Sequence, residues 1–250
     1  VKKTALLAYG GIAYLLAMAN IAYIVGFLAD FGVPKTVAAG PTIDLLGPDA
    51  GLGATIALDA ALVLIFGLHH SITARRWFKR WWTRFVPAEI ERATYLYMTA
   101  VMTALLVLFW RPIPETIWRV DAVSAQAAIY AVYLSVWAMM FSATFHFGHF
   151  GFFGLAQVWN RITDRAPAEP AFAARFLYAL VRHPISLGWM TVPWITPHMT
   201  TGQLVFALAS MAYVLAATPF EEADLIAELG DVYRRYRKSV PAFLPGRRAR

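Results

Sequence analysis

The chain contains no cysteine in its 250 residues. That excludes disulfides, thiolate metal sites and a cysteine nucleophile, and it carries no information about compartment. Charge is also scarce: 15% of residues are Asp, Glu, Lys or Arg, against roughly 25% in soluble domains. Apolar residues reach 59% and the mean hydropathy is +0.54, so a water-soluble globule is excluded. Neither an internal repeat nor a low-complexity tract divides the chain. The expectation is one integral membrane domain over residues 1–250, all-α, built as a polytopic helical bundle.

Runs without charge locate the spans, each needing about 20 apolar residues. Thr4 to Ala29, Ala93 to Trp110, Ala122 to Asn160 and His183 to Phe220 are uncharged. A further span lies near Leu52 to Ile72, where Asp59 reads as an interfacial carboxylate. The last run is too long for one helix and is punctuated by Pro193, Pro197 and Gly202, which predicts a hairpin of two short helices. Five or six transmembrane helices follow. The first, after Lys2 and Lys3, is longer than a signal-peptide core and lacks a small-residue cleavage site, so it reads as retained.

Nineteen of the 22 Lys and Arg residues fall on one side of such a bundle; Lys35, Arg111 and Arg119 occupy the other. The bias puts both termini in the cytoplasm, the membrane being most simply a bacterial inner membrane. It also explains the net charge of +7 through contact with anionic lipid headgroups, so no nucleic-acid partner is needed. The aromatic and basic stretch "RRWFKRWWTRFVPAEIER" reads as an interfacial segment. The loop Arg161 to Arg182, with Pro167 and Pro170, is longer than a hairpin requires.

Three stretches carry possible chemistry. In "RHPISLG", Arg182 and His183 precede Pro184, which suits the first turn of a helix. Free N–H groups, the helix dipole and two basic side chains would make an anion site. Gly188, one turn on, would let a flat group approach the backbone. In "FEEADLIAELGDVYRRYRKSVPAFLP", Glu221 and Glu222 fall at a membrane exit, where carboxylates are costly without a partner. Ile226, Leu229, Tyr233 and Tyr236 then recur at helical spacing, predicting a cytoplasmic C-terminal amphipathic helix. A returning hairpin would bring the basic and acidic motifs together. A ligand with a carboxylate at one end and a vicinal diol at the other suits both, and S-adenosylmethionine has those features.

The third stretch is "FSATFHFGHFGFFGLAQVW". On one helix His146, His149 and Phe153 would share a face, while Gly148, Gly151 and Gly154 would permit close helix approach. The histidines are either hydrogen-bonded core residues or ligand contacts, and no accompanying carboxylate favours a metal. His69 and His70, in "GLHHSITARRWF", offer a further base or a haem ligand.

Taken together, "RHPISLG", the hairpin and the "FEEADLIAELGDVYRRYRKSVPAFLP" tail resemble the isoprenylcysteine carboxyl methyltransferase superfamily. "FGHFGFFGLAQVW" and "HHSITARRWFKRWW" resemble more specifically its bacterial methanethiol S-methyltransferases, membrane enzymes that make dimethyl sulfide from methanethiol and S-adenosylmethionine. The resemblance runs from about His69 to Pro245. It implies a cofactor-binding part near residues 145–245, in which Arg182, His183 and Pro184 hold the methionine end. Glu222, beside Glu221, binds toward ribose or adenine; His149 and Gln157 face cofactor or acceptor; Tyr233 and Tyr236 close the pocket. His149 or His146 would be the catalytic base. The chain departs from the family pattern at Ser186, Gly148, Gly151, Ala156 and Ala223, which points to a roomier, less polar acceptor pocket. The acceptor expected is therefore a small thiol or a larger lipid-like group. A more distant likeness, to denitrification-linked membrane proteins and a carotene isomerase, gives the alternative of a haem-binding protein.

Overall fold

A computed structural model of the chain describes residues 2–166 and 174–244. The prolines 167 and 170 and the last basic residues of the tail lie outside the described residues. The architecture is an all-α membrane bundle. Its elements are α1 (Lys2–Ala29), α2 (Leu52–Ala74), α3 (Arg76–Trp82), α4 (Ala88–Phe109), β1 (Thr116–Arg119), α5 (Val123–Ala143), α6 (His149–Phe152), α7 (Leu155–Ile162), α8 (Pro184–Thr191), β2 (His198–Thr200), α9 (Thr201–Leu229) and α10 (Asp231–Ser239).

Five helices, α1, α2, α4, α5 and α9, are long and apolar enough to cross a membrane. A helix satisfies its own backbone, which hydrocarbon demands of any spanning segment. The predicted hairpin of two short helices is replaced by something less symmetric. Its first limb is α8, eight residues and about 12 Å long, followed by a 3-10 turn at Val192–Trp194 and the extended β2. Its second limb is the single 29-residue α9. Pro193 and Pro197 stop the first limb because neither can donate to a helical ladder.

Broken backbone at membrane depth needs partners, and buried side chains supply them. Gln203 donates to the Leu28 and Pro193 carbonyls at 3.3 and 2.9 Å. Trp118 Nε1 donates to Thr196 O at 3.2 Å. β2 pairs antiparallel with β1, Thr116 opposite Thr200 and Arg119 opposite His198. The Thr200 hydroxyl caps α9 by accepting from the Gln203 amide.

Pro219 does not end α9, which runs on to Leu229. The predicted amphipathic helix is thus split: Ile226 and Leu229 belong to the end of α9, while Tyr233 and Tyr236 lie on α10, beyond Gly230 at φ +59°. The two pieces fold onto one apolar cluster with Leu225 and Val240.

Asp59, near the start of α2, is fully buried within the protein, accepting from the Arg111 amide at 2.9 Å. Near it Lys35, 3% exposed, points its ammonium at Pro41 O, Thr42 Oγ and Trp110 O, each 2.7 Å away. Burial lowers the Lys35 pKa to about 8 against the opposing pull of Asp59, so the group keeps its proton at neutral pH. This knot joins the α1–α2 loop, α2 and the end of α4. Lys35→Ala should destabilise the protein by about 3 kcal/mol, because it takes the ammonium donor from the Pro41 carbonyl and one of two donors from the Trp110 carbonyl. Lys3→Ala, which removes an exposed pair with Asp164 and an exposed bond to the Ile162 carbonyl, should be near neutral. Thermal unfolding in detergent measures both, and equal midpoints would reject the ranking.

Candidate functional site

The site is assembled at the end of the bundle that carries α3, α10 and the beginnings of α1 and α4. At the start of α8, His183 is the N-cap residue and Pro184 occupies the first turn. The amides of Arg182 and His183 donate to Pro241 O and Ala242 O at 2.9 and 3.2 Å, laying the residues after α10 beside the entrance to α8.

Glu222, on α9, is 4% exposed and collects three basic groups. Its Oε1 accepts from Arg182 Nε at 2.7 Å and Nη2 at 2.6 Å, and from His183 Nε2 at 3.1 Å. Its Oε2 accepts from Arg237 Nε, on α10, at 3.0 Å. The basic and acidic motifs therefore meet in direct contact, not across a ligand. Arg182 Nη1 is spent too, on the carbonyls of Arg237 and Val240. For the ligand carboxylate expected at Arg182, one Nη2 proton at most is left over from these bonds. Its visible role is to orient Glu222 and hold the tail. Glu221 is half exposed, and its carboxylate is 3.7 Å from His183 Nδ1.

Two further expectations change. Gly188 does not leave room for a flat ligand group: a Cβ there would lie 2.3 Å from Met140 Cγ and Sδ, so it admits α5 to α8. Tyr233 and Tyr236 are buried in the cluster between α9 and α10, and Tyr236 donates to Tyr178 O at 2.6 Å. They clamp the tail rather than present their rings to an opening. Burial, the largest influence on Tyr236, raises its pKa to about 12, so it remains a neutral donor.

The histidine stretch is not one helix. α5 ends at Ala143, a 3-10 turn covers Thr144–Phe147, and Gly148 (φ +78°) and Gly154 (φ +80°) bracket α6. The shared face of His146, His149 and Phe153 is thereby lost. His146 stacks on Tyr178 with centroids 4.7 Å apart. His149 is instead buried against α1, between the Tyr14 hydroxyl at 2.9 Å from Nε2 and Thr144 Oγ at 2.8 Å from Nδ1. Of the three glycines, only Gly154 makes the close approach predicted, its Cβ position lying 2.9 Å from Ala93 N; Gly148 and Gly151 face open space.

α6 and α7 then run back along α1. Val158 packs on Gly10, and Lys3 donates to Ile162 O. Gln157, on α7, donates to Gly151 O at 3.0 Å, while its buried Oε1 has no partner among the described residues. α8 packs antiparallel to the end of α5, with Gly188 against Met140 and Trp189 against Trp137. That register brings Pro184 level with Thr144, so the ionic cluster and His149 lie at one end of the bundle.

His70 hydrogen-bonds the Tyr95 hydroxyl at 2.5 Å; its neighbour His69 has a buried Nδ1 without a partner among the described residues. Sequence reasoning missed Tyr14, Thr144, Tyr178 and Arg237. Arg237 follows Tyr236 directly and could have been weighed with it, but nothing in the sequence ties Tyr14 to His149 across 135 positions.

Because Glu222 is, among the described residues, the carboxylate shared by Arg182 and Arg237, Glu222→Gln should loosen the tail. Hydrogen exchange at the amides of Arg182 and His183 should then accelerate. Unchanged exchange there would remove the clamp from this account.

Similarity to known proteins points in one direction. A methanethiol S-methyltransferase from Mycobacterium tuberculosis is 40% identical over 98% of this chain and 97% of its own length. Another from a Pseudomonas species is 40% identical over 98% of this chain and 92% of its own. Nurim from Sus scrofa is 27% identical over 72% of this chain. No protein-family model and no solved structure matches the chain.

Proposed function

The chain belongs to the methanethiol S-methyltransferases, and on that premise we propose that it methylates methanethiol to dimethyl sulfide with S-adenosylmethionine as the donor. Membership favours this over the haem-binding alternative and over a lipid-like acceptor. A methyltransferase needs a methyl donor; the identity of that donor and its seat are the proposal. The single observation that carries it is the ionic cluster around Glu222.

One negative charge there is shared by two guanidinium groups and an imidazole. The surplus is positive, and it stands at the N-terminus of α8, where the amides of the first turn lack helical partners. A carboxylate is welcome at such a place. Glu221 stands beside it with its carboxylate half exposed, suited to an ammonium. An amino-acid zwitterion fits this pairing of signs. S-adenosylmethionine, when bound, supplies an electrophilic methyl group on a sulfonium.

In this reading His183 and the α8 amides receive the carboxylate, and Glu221 faces the ammonium. Arg182 and Arg237 fix Glu222, and α10 covers the cluster. Gln157 Oε1 is an acceptor held in place by its own amide, ready for a ligand donor. We further propose that this basic end faces the cytoplasm, where a charged donor is available, following the bias of Lys and Arg. The thiol needs no such charge and partitions from the bilayer.

His183→Ala should weaken donor binding by about 2–5 kcal/mol if its imidazole is a desolvated partner of the carboxylate. Removing residues 231–250 should abolish binding while the five long helices still insert. Calorimetry with S-adenosylmethionine on protein in lipid nanodiscs reads both. Normal affinity in the two variants would reject the seat, and failure of the intact protein to form dimethyl sulfide would reject the reaction.

A further inference from the structure

The proposed reaction leaves one chemical need unmet: an alkyl thiol at neutral pH is mostly protonated, and the sulfur must lose that proton to become a good nucleophile. The surroundings of His149 supply what is required, and they define its tautomer. Thr144 Oγ lies 2.7 Å from Phe141 O, to which it donates its only proton. It must therefore accept from His149, so Nδ1 carries the hydrogen of their 2.8 Å bond. Nε2 is left with its lone pair and accepts the Tyr14 proton at 2.9 Å. Turning the ring over would replace both nitrogens with carbons at the two hydroxyls, so its orientation is fixed as well.

The groups facing this imidazole are Tyr14 from α1, Phe141 and Phe145 around Thr144, and Phe150 and Phe153 around α6. None is charged. Burial pushes the His149 pKa down, which keeps the ring neutral and leaves the Nε2 lone pair open to a proton. Phe145 and Phe150 are 59% and 56% exposed on the flank of the bundle. Gly148 and Gly151, beside the ring, face open space. The couple lies about 16 Å along α1 from Lys3, eleven residues away, in apolar surroundings that a neutral thiol enters without a desolvation cost.

Resting on the methyltransferase reading above, we propose that Tyr14 and His149 form the proton relay of the acceptor site. The thiol proton passes to the Tyr14 oxygen as the Tyr14 proton passes to His149 Nε2. The sulfur electron pair then forms the new C–S bond, and the methyl–sulfonium bond of the donor breaks, its electron pair returning to the donor sulfur. Thr144 is a positioning residue: by accepting from Nδ1 it keeps Nε2 unprotonated and aimed at Tyr14.

Tyr14→Phe keeps the ring and removes only the relay oxygen. With methanethiol, kcat/KM of this variant should fall by about 10²-fold or more near neutral pH. The loss should shrink as pH rises, about tenfold per pH unit, because thiolate then forms without help. Thr144→Val should give a smaller loss with the same pH dependence. Calorimetric binding of S-adenosylmethionine should be unchanged in both. A loss equal at every pH would assign Tyr14 a packing role, and no loss would remove it from the reaction; either result overturns the relay. An intact protein inactive on methanethiol would instead defeat the methyltransferase reading.

Discussion

A buried, ionised carboxylate is costly unless cations meet it, and the cytoplasmic architecture proposed for this protein turns on that requirement. Glu222 sits on α9 at a depth where an unpaired charge would be costly. Its partners come from two other places in the chain, Arg182 and His183 before α8 and Arg237 on α10. The same guanidinium of Arg182 then reaches the carbonyls that follow α10. One carboxylate thus fixes the entrance of one limb, the end of another and the path of the tail. Tyr236 adds a neutral bond to Tyr178 O, worth about 1 kcal/mol, which is too little to hold the tail without the ionic contacts.

The opposite end obeys the same rule with the sign reversed. Lys35 is the buried ion there, and its oxygens come mainly from backbone exposed by chain turns at Pro41 and Trp110. Between the two ends, the limb containing α8 is too short to cross as a helix, so Gln203 and Trp118 take up the carbonyls that the break releases. Hydrocarbon tolerates irregular backbone only where protein groups satisfy it. That explains a fully buried glutamine in the uncharged part of α9 that precedes Glu221.

What could be read from the sequence was whatever hydropathy and short-range pattern encode. The five long helices follow from uncharged runs, and the meeting of "RHPISLG" with Glu222 follows from the return of the chain. Contacts between distant segments were illegible. Gly188 carries the same letter whether it faces a ligand or Met140, and only the packing of α8 on α5 decides. The place of Asp59 near one end of its span was visible, while its burial beside Lys35 and Arg111 was not. Helical periodicity failed across residues 144–154 because Gly148 and Gly154 adopt left-handed backbone, which sequence alone permits but does not require. Pro219 lies inside α9 without ending it, since a helix held by tertiary contacts can absorb one missing donor.

The separation of charged from apolar chemistry has a physical basis in the fold. A zwitterionic donor needs fixed charges, and fixed charges in low dielectric would disfavour a thiol seeking an apolar pocket. In the proposed reading the chain resolves the conflict by giving each its own segment after α5. Residues 182–183 and the tail carry the charges, whereas residues 144–153 carry one hydroxyl, two imidazoles and phenylalanines, with no Asp, Glu, Lys or Arg among them. The close packing of α8 on α5, set by Gly188 against Met140, keeps the two segments level. Any side chain larger than hydrogen at Gly188 would push α8 away from α5 and shift the ionic cluster relative to His149. A methyl transfer is sensitive to such a shift, because its catalysis comes chiefly from holding two reactants in line.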